Sequence, residues 1–423
     1  MDAINELKSR GFIYQQTHDE ELTDHLQKPC TFYIGFDPTA DSLHVGSLVP
    51  IMAMVHMQRA GHFPIAIVGG GTARVGDPSG KTEMRKMLNE TQIEANERGV
   101  AKQLSHYLDL DGTKGKLVNN KDWLLKLSYI ELLRDIGSHF SVNRMLTMES
   151  VKQRLETGLS FIEFNYMILQ AYDFLVLLQQ ENCTLQMGGQ DQWGNIVAGI
   201  DLCRRKEEGR QTYGMTFPLI TKSNGAKFGK SEKGNIWLDA NRTSPFEFYQ
   251  FWRNVEDTDV NRFMKLFTLL PVDEINRLTE EGANINRAKE ILAFEATLVT
   301  HGRAEAEKSF ATAVTKFGQS DPEKQVETSS SIRNVDVSSQ IDMPSFNLDR
   351  QQLGQVTWAD LYPMIELTKS KGEARRLIQG KGARFGEQVI DDANEIVSSE
   401  HFEDGRLILR AGKKRFKLVI LSD

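Results

Sequence analysis

A strand, a helix and a second strand occupy residues 31–71, and this order limits the folds open to the chain. Residues 31–36 (TFYIGF) form a short apolar run that reads as a buried strand. Asp37-Pro38-Thr39-Ala40-Asp41 breaks the run as a turn. A helix is expected from about Leu43 to Gln58, with Gly61 as its stop. Residues 64–68 (PIAIV) are a second buried strand that runs into Gly69-Gly70-Gly71. Strand, helix, strand in that sequence predicts parallel pairing through a right-handed crossover. Residues 184–187 (TLQM) repeat the theme, running into Gly188-Gly189 and a helix from about Asp191. Ligands of such sheets bind outside the carboxyl ends of the strands, where these glycine and aspartate turns fall.

At 423 residues the chain exceeds what one core holds, which predicts two or three domains. Apolar content of 40% with 26% charged residues excludes a disordered or fibrous chain. No uninterrupted run of 18 apolar residues occurs, so no membrane-spanning helix is expected. Residues 1–10 carry mixed charge and read as a helix start rather than a signal or transit peptide. Cys30, Cys183 and Cys203 are scattered and form no C-x-x-C pair, which argues against a disulfide framework or zinc site and for the cytoplasm. The net charge of −7 excludes a uniformly basic nucleic-acid binder, so RNA contact would have to come from local patches. The obvious one gathers Arg406, Arg410, Lys413, Lys414, Arg415 and Lys417; a solvated strand face is the competing reading.

Two familiar phosphate motifs fail on inspection. Gly69-Gly70-Gly71-Thr72-Ala73-Arg74 lacks the third glycine of G-x-G-x-x-G, and Gly80-Lys81-Thr82 would need Val75 to be the leading glycine of a P-loop. Two other segments fit a triphosphate better. His44-Val45-Gly46-Ser47 stands at the first turn of the expected helix, where backbone amides and the helix dipole favour phosphate. Its imidazole can donate to oxygens that gain charge in a transition state, and Gly46 leaves room for a flat base. Lys227-Phe228-Gly229-Lys230-Ser231 places two ammonium groups three residues apart beside a polar loop, able to hold a pyrophosphate leaving group. Read singly, these are equally an exposed helix-start histidine and a solvated turn. Read together they point to adenylation of a carboxylate.

Residues 162–178 form an almost wholly apolar helix in which Tyr166, Gln170 and Asp173 share one face. A carboxylate buried among Phe164, Ile168, Leu169 and Leu175 requires a partner. Another side chain would serve, and so would a small ligand carrying an ammonium and a hydroxyl.

These strings, with Tyr33-Ile-Gly-Phe-Asp-Pro-Thr-Ala-Asp-Ser-Leu-His44 and Gly188-Gly-Gln-Asp-Gln-Trp-Gly-Asn195, resemble the bacterial-type tyrosyl-tRNA synthetases, class I aminoacyl-tRNA synthetases, along nearly the whole chain. The resemblance implies an α/β fold. A Rossmann-like parallel-sheet catalytic domain (residues 1–222) would carry a helical dimer-interface insertion at about 120–180. The lysine loop and an α-helical anticodon-side domain (223–317), a linker (318–350) and a small ribosomal-protein-like α+β RNA-binding domain (351–423) would follow. The implied partners are L-tyrosine, ATP as substrate with Mg2+, and tRNA(Tyr), in a homodimer, with no protein-only metal site and no membrane.

Residue by residue, the resemblance implies that Tyr33 and Asp173 bond the substrate's phenolic hydroxyl. Asp77, Tyr166 and Gln170 would hold its ammonium, with Gln192 lining the same pocket. Asp37, Gly46, Ser47, Gly189 and Asp191 would meet the nucleotide, Gly46 at the adenine and Asp191 at the ribose. Thr39 and His44 would stabilise the α-phosphate, while Lys81, Arg85, Lys227 and Lys230 engage pyrophosphate. Lys371, Arg375, Arg376, Lys413, Lys414 and Arg415 would contact RNA. Ser47 stands where the family usually has a second histidine, and Gln190 where serine is common. Two other readings compete: a tryptophanyl-type synthetase, against which Tyr33 and Asp173 argue as a pair suited to a hydroxyl, and a non-catalytic RNA-binding paralogue, against which the intact pocket argues.

Overall fold

The computed structural model describes residues 2–79, 88–221, 228–231, 234–337, 345–386, 388–403, 405–412 and 415–422. Contacts divide the chain into two units, one of residues 1–306 with 320–333 and one of 307–319 with 334–423.

The first unit is built on a six-stranded sheet. Its strands are β1 (Gln15–Gln16), β2 (Thr31–Phe36), β3 (Phe63–Val68), β4 (Lys116–Asn119), β5 (Cys183–Gly189) and β6 (Tyr213–Phe217), in the order β1-β6-β5-β2-β3-β4. All neighbours run parallel except the short edge strand β1, which is antiparallel to β6. From β2 the chain builds outward through β3 to β4, whereas from β5 it builds the other way through β6. The direction reverses between β2 and β5, and the crevice at their carboxyl ends is where an open α/β sheet binds its ligand.

The helix after β2 begins later than the sequence predicts. Val45–Ser47 is a single 3-10 turn, and the α-helix runs Leu48–Arg59 rather than from about Leu43. The cause is tertiary. Leu43 and Val45 are drawn into backbone pairing with a distant segment, Val45 N–H donating to Ile236 O at 3.0 Å and Leu238 N–H to Leu43 O at 2.9 Å. An extended His44 (φ −122°, ψ 171°) cannot also be helical.

The insertion is helical, and its principal helix is Phe161–Glu181. Ser160 and Glu163 cap its start reciprocally, and Asn182 ends it in the left-handed conformation. Phe174, Leu175, Leu177 and Leu178 are buried with Tyr33, Ile65, Ile67, Cys183 and Leu202. Each such side chain contributes roughly 1.5–3 kcal/mol by leaving water. In length and apolarity this helix would cross a bilayer. More than half of it is instead buried in this unit, which marks it as a core helix.

Further helices span Pro245–Arg253, Val260–Phe267 and Ile285–His301. Part of the segment that reads as a linker packs on them. Ser320 N–H donates to Glu290 at 2.9 Å, and the Ser330 hydroxyl donates to Glu295 at 2.5 Å.

The second unit carries a five-stranded sheet of β9 (Ser345–Asp349), β10 (Ala383–Phe385), β11 (Gln388–Val389), β12 (Arg406–Ala411) and β13 (Arg415–Ser422), in the order β11-β10-β12-β13-β9. Strands β7 (Lys230–Ser231) and β8 (Gly234–Asn235) form a hairpin in the first unit. Helices Trp358–Met364 and Lys371–Gln379 close the small core over Trp358, Leu361, Tyr362, Ile378, Leu409 and Val419. This is the α+β tail that the sequence predicts.

Candidate active site

Two hydrogen-bonded networks meet at the switch point. The first starts at the carboxyl end of β2. Asp37 accepts from the Thr72 hydroxyl at 2.7 Å on one oxygen and from the Tyr166 hydroxyl at 2.8 Å on the other. Thr72 Oγ1 in turn accepts from Asn120 Nδ2 at 3.0 Å, and the same amide donates to Asp173 Oδ2 at 2.9 Å. Trp123 Nε1 donates to Asp173 Oδ1 at 2.7 Å. Gly69 is obligatory beside this chain of bonds, because any Cβ there would overlap the Asp37 carboxylate and the Thr72 hydroxyl.

Burial pushes the Asp173 carboxyl up from its ordinary 3.8 to about 7, while the bonds from Asn120 and Trp123 pull the other way. Tyr33 is near enough to feel the charge of this carboxylate. It is 2% exposed, its ring packs 5.3 Å from that of Phe174, and its hydroxyl has no hydrogen-bond partner among the described residues. Burial and then the charge of Asp173 raise its phenol well above the ordinary range. A buried polar atom without a partner is costly, so a hydroxyl that fills this gap gains the whole of that cost.

The second network lies towards β5. Asp77 accepts from Ser79 N–H at 2.9 Å and from Gln192 Nε2 at 2.8 Å. Asn195 Nδ2 donates to Gln170 Oε1 at 3.0 Å and to Gln192 Oε1 at 3.1 Å. Asp37, which accepts from the Tyr166 hydroxyl, and Asp77 are both close enough to Tyr166 for their charges, after burial, to raise its phenol. An ammonium group suits such a pair of acceptors.

The side predicted to meet the nucleotide is more open. Exposed His44 accepts Gly46 N–H on Nδ1 at 3.0 Å, so its neutral imidazole carries the proton on Nε2, a donor. Thr39 is also exposed, and Asp37, Gly46, Ser47, Gly189 and Asp191 are half-buried along the ends of β2 and β5. The two signature segments are joined through the backbone. Ile236 N–H donates to Gly229 O at 2.9 Å, and Ile236 O accepts from Val45. Gly229 adopts φ +77°, and a Cβ there would stand 2.7 Å from Val45 Cγ2. Lys230 opens β7. Lys81, Arg85, Lys227, Lys413 and Lys414 lie outside the described residues.

In the second unit Lys371, Arg375 and Arg376 are exposed on one helix, Lys371 pairing with Asp360. Arg415 approaches that helix at Glu373, 3.8 Å away.

Residues 25–318 match the family of tRNA synthetases class I (W and Y). The chain is 51% identical to the tyrosine–tRNA ligase of Desulfosudis oleivorans, covering 100% of this chain and 99% of that one. It is 50% identical to the tyrosine–tRNA ligase of Clostridium botulinum strain Hall, covering 98% of each. The chain belongs to the bacterial-type tyrosyl-tRNA synthetases. A truncated mitochondrial tyrosyl-tRNA synthetase from Aspergillus nidulans superimposes with a TM-score of 0.66 at 31% identity, covering 75% of this chain and 94% of that chain.

Family membership makes four residues of the networks notable. Thr72, Asn120, Trp123 and Asn195 bind no predicted ligand, yet they position residues predicted to do so. Asn195 ended a string that carried the resemblance and could have been suspected. Asn120 and Trp123 follow β4, a strand too short and too polar to read from the sequence.

Proposed function

We infer that this chain joins L-tyrosine to the 3′ end of tRNA(Tyr) in two steps. It is a ligase that uses ATP: the carboxylate of tyrosine attacks the α-phosphate, tyrosyl-adenylate forms, and pyrophosphate leaves. The tRNA's terminal hydroxyl then displaces AMP. No covalent enzyme intermediate is required, and the protein acts by position and charge.

One observation carries the amino-acid assignment: the unpartnered Tyr33 hydroxyl beside buried Asp173. A phenol at that point can donate to Asp173 and also accept from Tyr33, whereas a benzene edge does neither and an indole N–H can only donate. The ammonium then falls to Asp77, Tyr166 and Gln170, steadied by Gln192. The ribose and adenine fall to Asp191, Gly189, Asp37 and Gly46, with Ser47 at the foot of the following helix. Thr39 and His44 face the α-phosphate from the turn, and Lys81, Arg85, Lys227 and Lys230 draw off pyrophosphate. Magnesium arrives as part of Mg·ATP, held through the phosphates. Chelation with EDTA is then expected to abolish the exchange reaction without unfolding the enzyme.

Exposed apolar residues concentrate in the insertion, among them Leu125, Tyr129, Ile130, Leu133, Phe161 and Ile162, which supports a homodimer through that face. Sedimentation equilibrium at micromolar concentration tests it: a monomer would remove this assignment. The three cysteines are buried free thiols, which supports a cytoplasmic enzyme; recovery in a periplasmic fraction would contradict it. The exposed arginines of the Lys371–Gln379 helix, with Arg415, support tRNA contact by the tail.

The deciding experiment is amino-acid-dependent ATP–pyrophosphate exchange with tyrosine, phenylalanine and tryptophan in parallel. Exchange with tyrosine alone is the expected result. Equal exchange with phenylalanine would overturn the hydroxyl assignment.

A further inference from the structure

The second residue of the Lys227–Ser231 signature is a phenylalanine, and its ring has a specific seat. Phe228 sits among four rings of the helical region. It stacks on Phe267 with centroids 5.6 Å apart and planes 7° apart. It meets Phe263 at 5.0 Å, Phe251 at 5.6 Å and Trp252 at 5.8 Å. Trp252, Phe263 and Phe267 are at most 1% exposed, so the seat is part of the core.

The same short helix, Val260–Phe267, also holds the chain upstream of the signature. Arg262 Nη2 donates to Thr221 O at 2.6 Å and to Asp259 Oδ1 at 2.9 Å. The last described residue before the signature and the first described residue within it are therefore both tied to one helix. Immediately after Phe228 the backbone is committed to the His44 turn. Gly229 O accepts from Ile236, Ile236 O accepts from Val45, and the Gly229 Cα lies directly against Val45. A side chain in the helical region and a backbone in the nucleotide turn thus meet across a single peptide bond.

We propose that Phe228 is a positioning residue for adenylate formation: its seat among Phe251, Trp252, Phe263 and Phe267 sets where the signature backbone stands against the His44–Gly46 turn. It touches no reacting atom. Its effect runs through the neighbouring lysines, so the inference rests on their assignment to pyrophosphate above. Displacements of about 1 Å in such a frame are enough to cost roughly 100-fold in rate. The seat also makes the helical region and the nucleotide site one mechanical unit, so that a disturbance of Phe267 is felt in adenylation.

The test uses the full-length chain and single-turnover adenylation, with thermal unfolding as a control. Phe228→Ala is expected to lower the rate constant roughly 10- to 100-fold with tyrosine affinity within twofold of the parent. Phe228→Leu, which refills part of the seat, should recover much of that loss. Phe267→Leu should reproduce the same pattern more weakly. The double variant Phe228→Ala with Phe267→Leu should be no slower than Phe228→Ala alone, because both changes empty one seat. Lys230→Ala is run beside them. A slow Lys230→Ala with a normal Phe228→Ala overturns the positioning role alone. A normal Lys230→Ala overturns the lysine assignment and the positioning role with it. If Phe228→Ala or Phe267→Leu weakens tyrosine binding as much as it slows adenylation, the seat is merely structural and the proposal fails.

Discussion

The proposed amino-acid pocket and the proposed nucleotide turn lie at the same carboxyl end of the sheet but are built by opposite means. In the pocket, side chains hold side chains: Asp37, Thr72, Asn120, Asp173 and Trp123 form one continuous chain of hydrogen bonds in a buried setting. At the turn, backbone holds backbone, through Gly229, Ile236 and Val45, and His44 and Thr39, the groups proposed to act there, stand exposed. A buried network couples its members strongly because an unpaired group in low dielectric is costly. An exposed donor on a rigid backbone can act alone. The pocket should therefore govern which amino acid is used, and the turn with its lysines how fast it reacts.

The largest effect expected from this division is on rate. Lys230→Ala should slow adenylation by about 100- to 1,000-fold, as loss of one preorganised transition-state contact does, and leave tyrosine affinity within twofold. Stopped-flow binding beside pyrophosphate exchange separates the two quantities. An equal collapse of tyrosine affinity would erase the distinction between the regions.

The second effect is on selectivity. Asp173→Asn should reduce the preference for tyrosine over phenylalanine by roughly 10- to 100-fold, the range for a hydrogen bond to a charged group. The pH dependence sharpens this. The folded carboxyl sits at about 7 against an ordinary 3.8, so the native state binds more protons than the unfolded chain between those values. This group's contribution to stability is complete below about pH 4 and is lost as pH rises through 7. The ionised form, proposed to accept the substrate phenol, increases over the same interval, so preference for tyrosine should rise with pH through about 7. A pH-independent preference ratio would show that Asp173 does not accept that bond.

Gly229→Ala comes next. The substitution forces a side chain into φ +77° against Val45, and should cost about 1–2 kcal/mol of stability and slow adenylation about tenfold. Comparing it with Gly234→Ala, where φ is +113° but an added Cβ would meet no described atom within 4 Å, separates backbone strain from displacement of the turn. Equal slowing by both would leave the contact with Val45 without a role. The smallest effect belongs to the tail. Arg375→Ala and Arg376→Ala should each raise the KM for tRNA a few-fold and lower the salt dependence of binding by about one ion. Adenylation without tRNA should be unchanged.

Much of this is legible in the sequence. Apolar runs ending in glycine or aspartate marked β2, β3 and β5, because a buried parallel strand must be apolar and must stop where the ligand begins. Tyr166, Gln170 and Asp173 were readable as one helix face from their spacing alone. The His44 and Lys230 segments were readable as a pair, each ambiguous without the other. The α+β tail and its exposed arginine helix followed the sequence as well.

What the sequence could not determine was which groups satisfy one another, since pairing depends on distance across the fold. It left open whether Asp173 meets a side chain or a ligand. The fold supplies Asn120 and Trp123 on its two oxygens and leaves the Tyr33 hydroxyl without a partner among the described residues. Local propensity placed the helix start at Leu43, and it lost to hydrogen bonds with Ile236 and Leu238, nearly two hundred residues away. The seat of Phe228 was invisible for the same reason. Sequence periodicity records which residues are buried, and only tertiary structure decides what they are buried against.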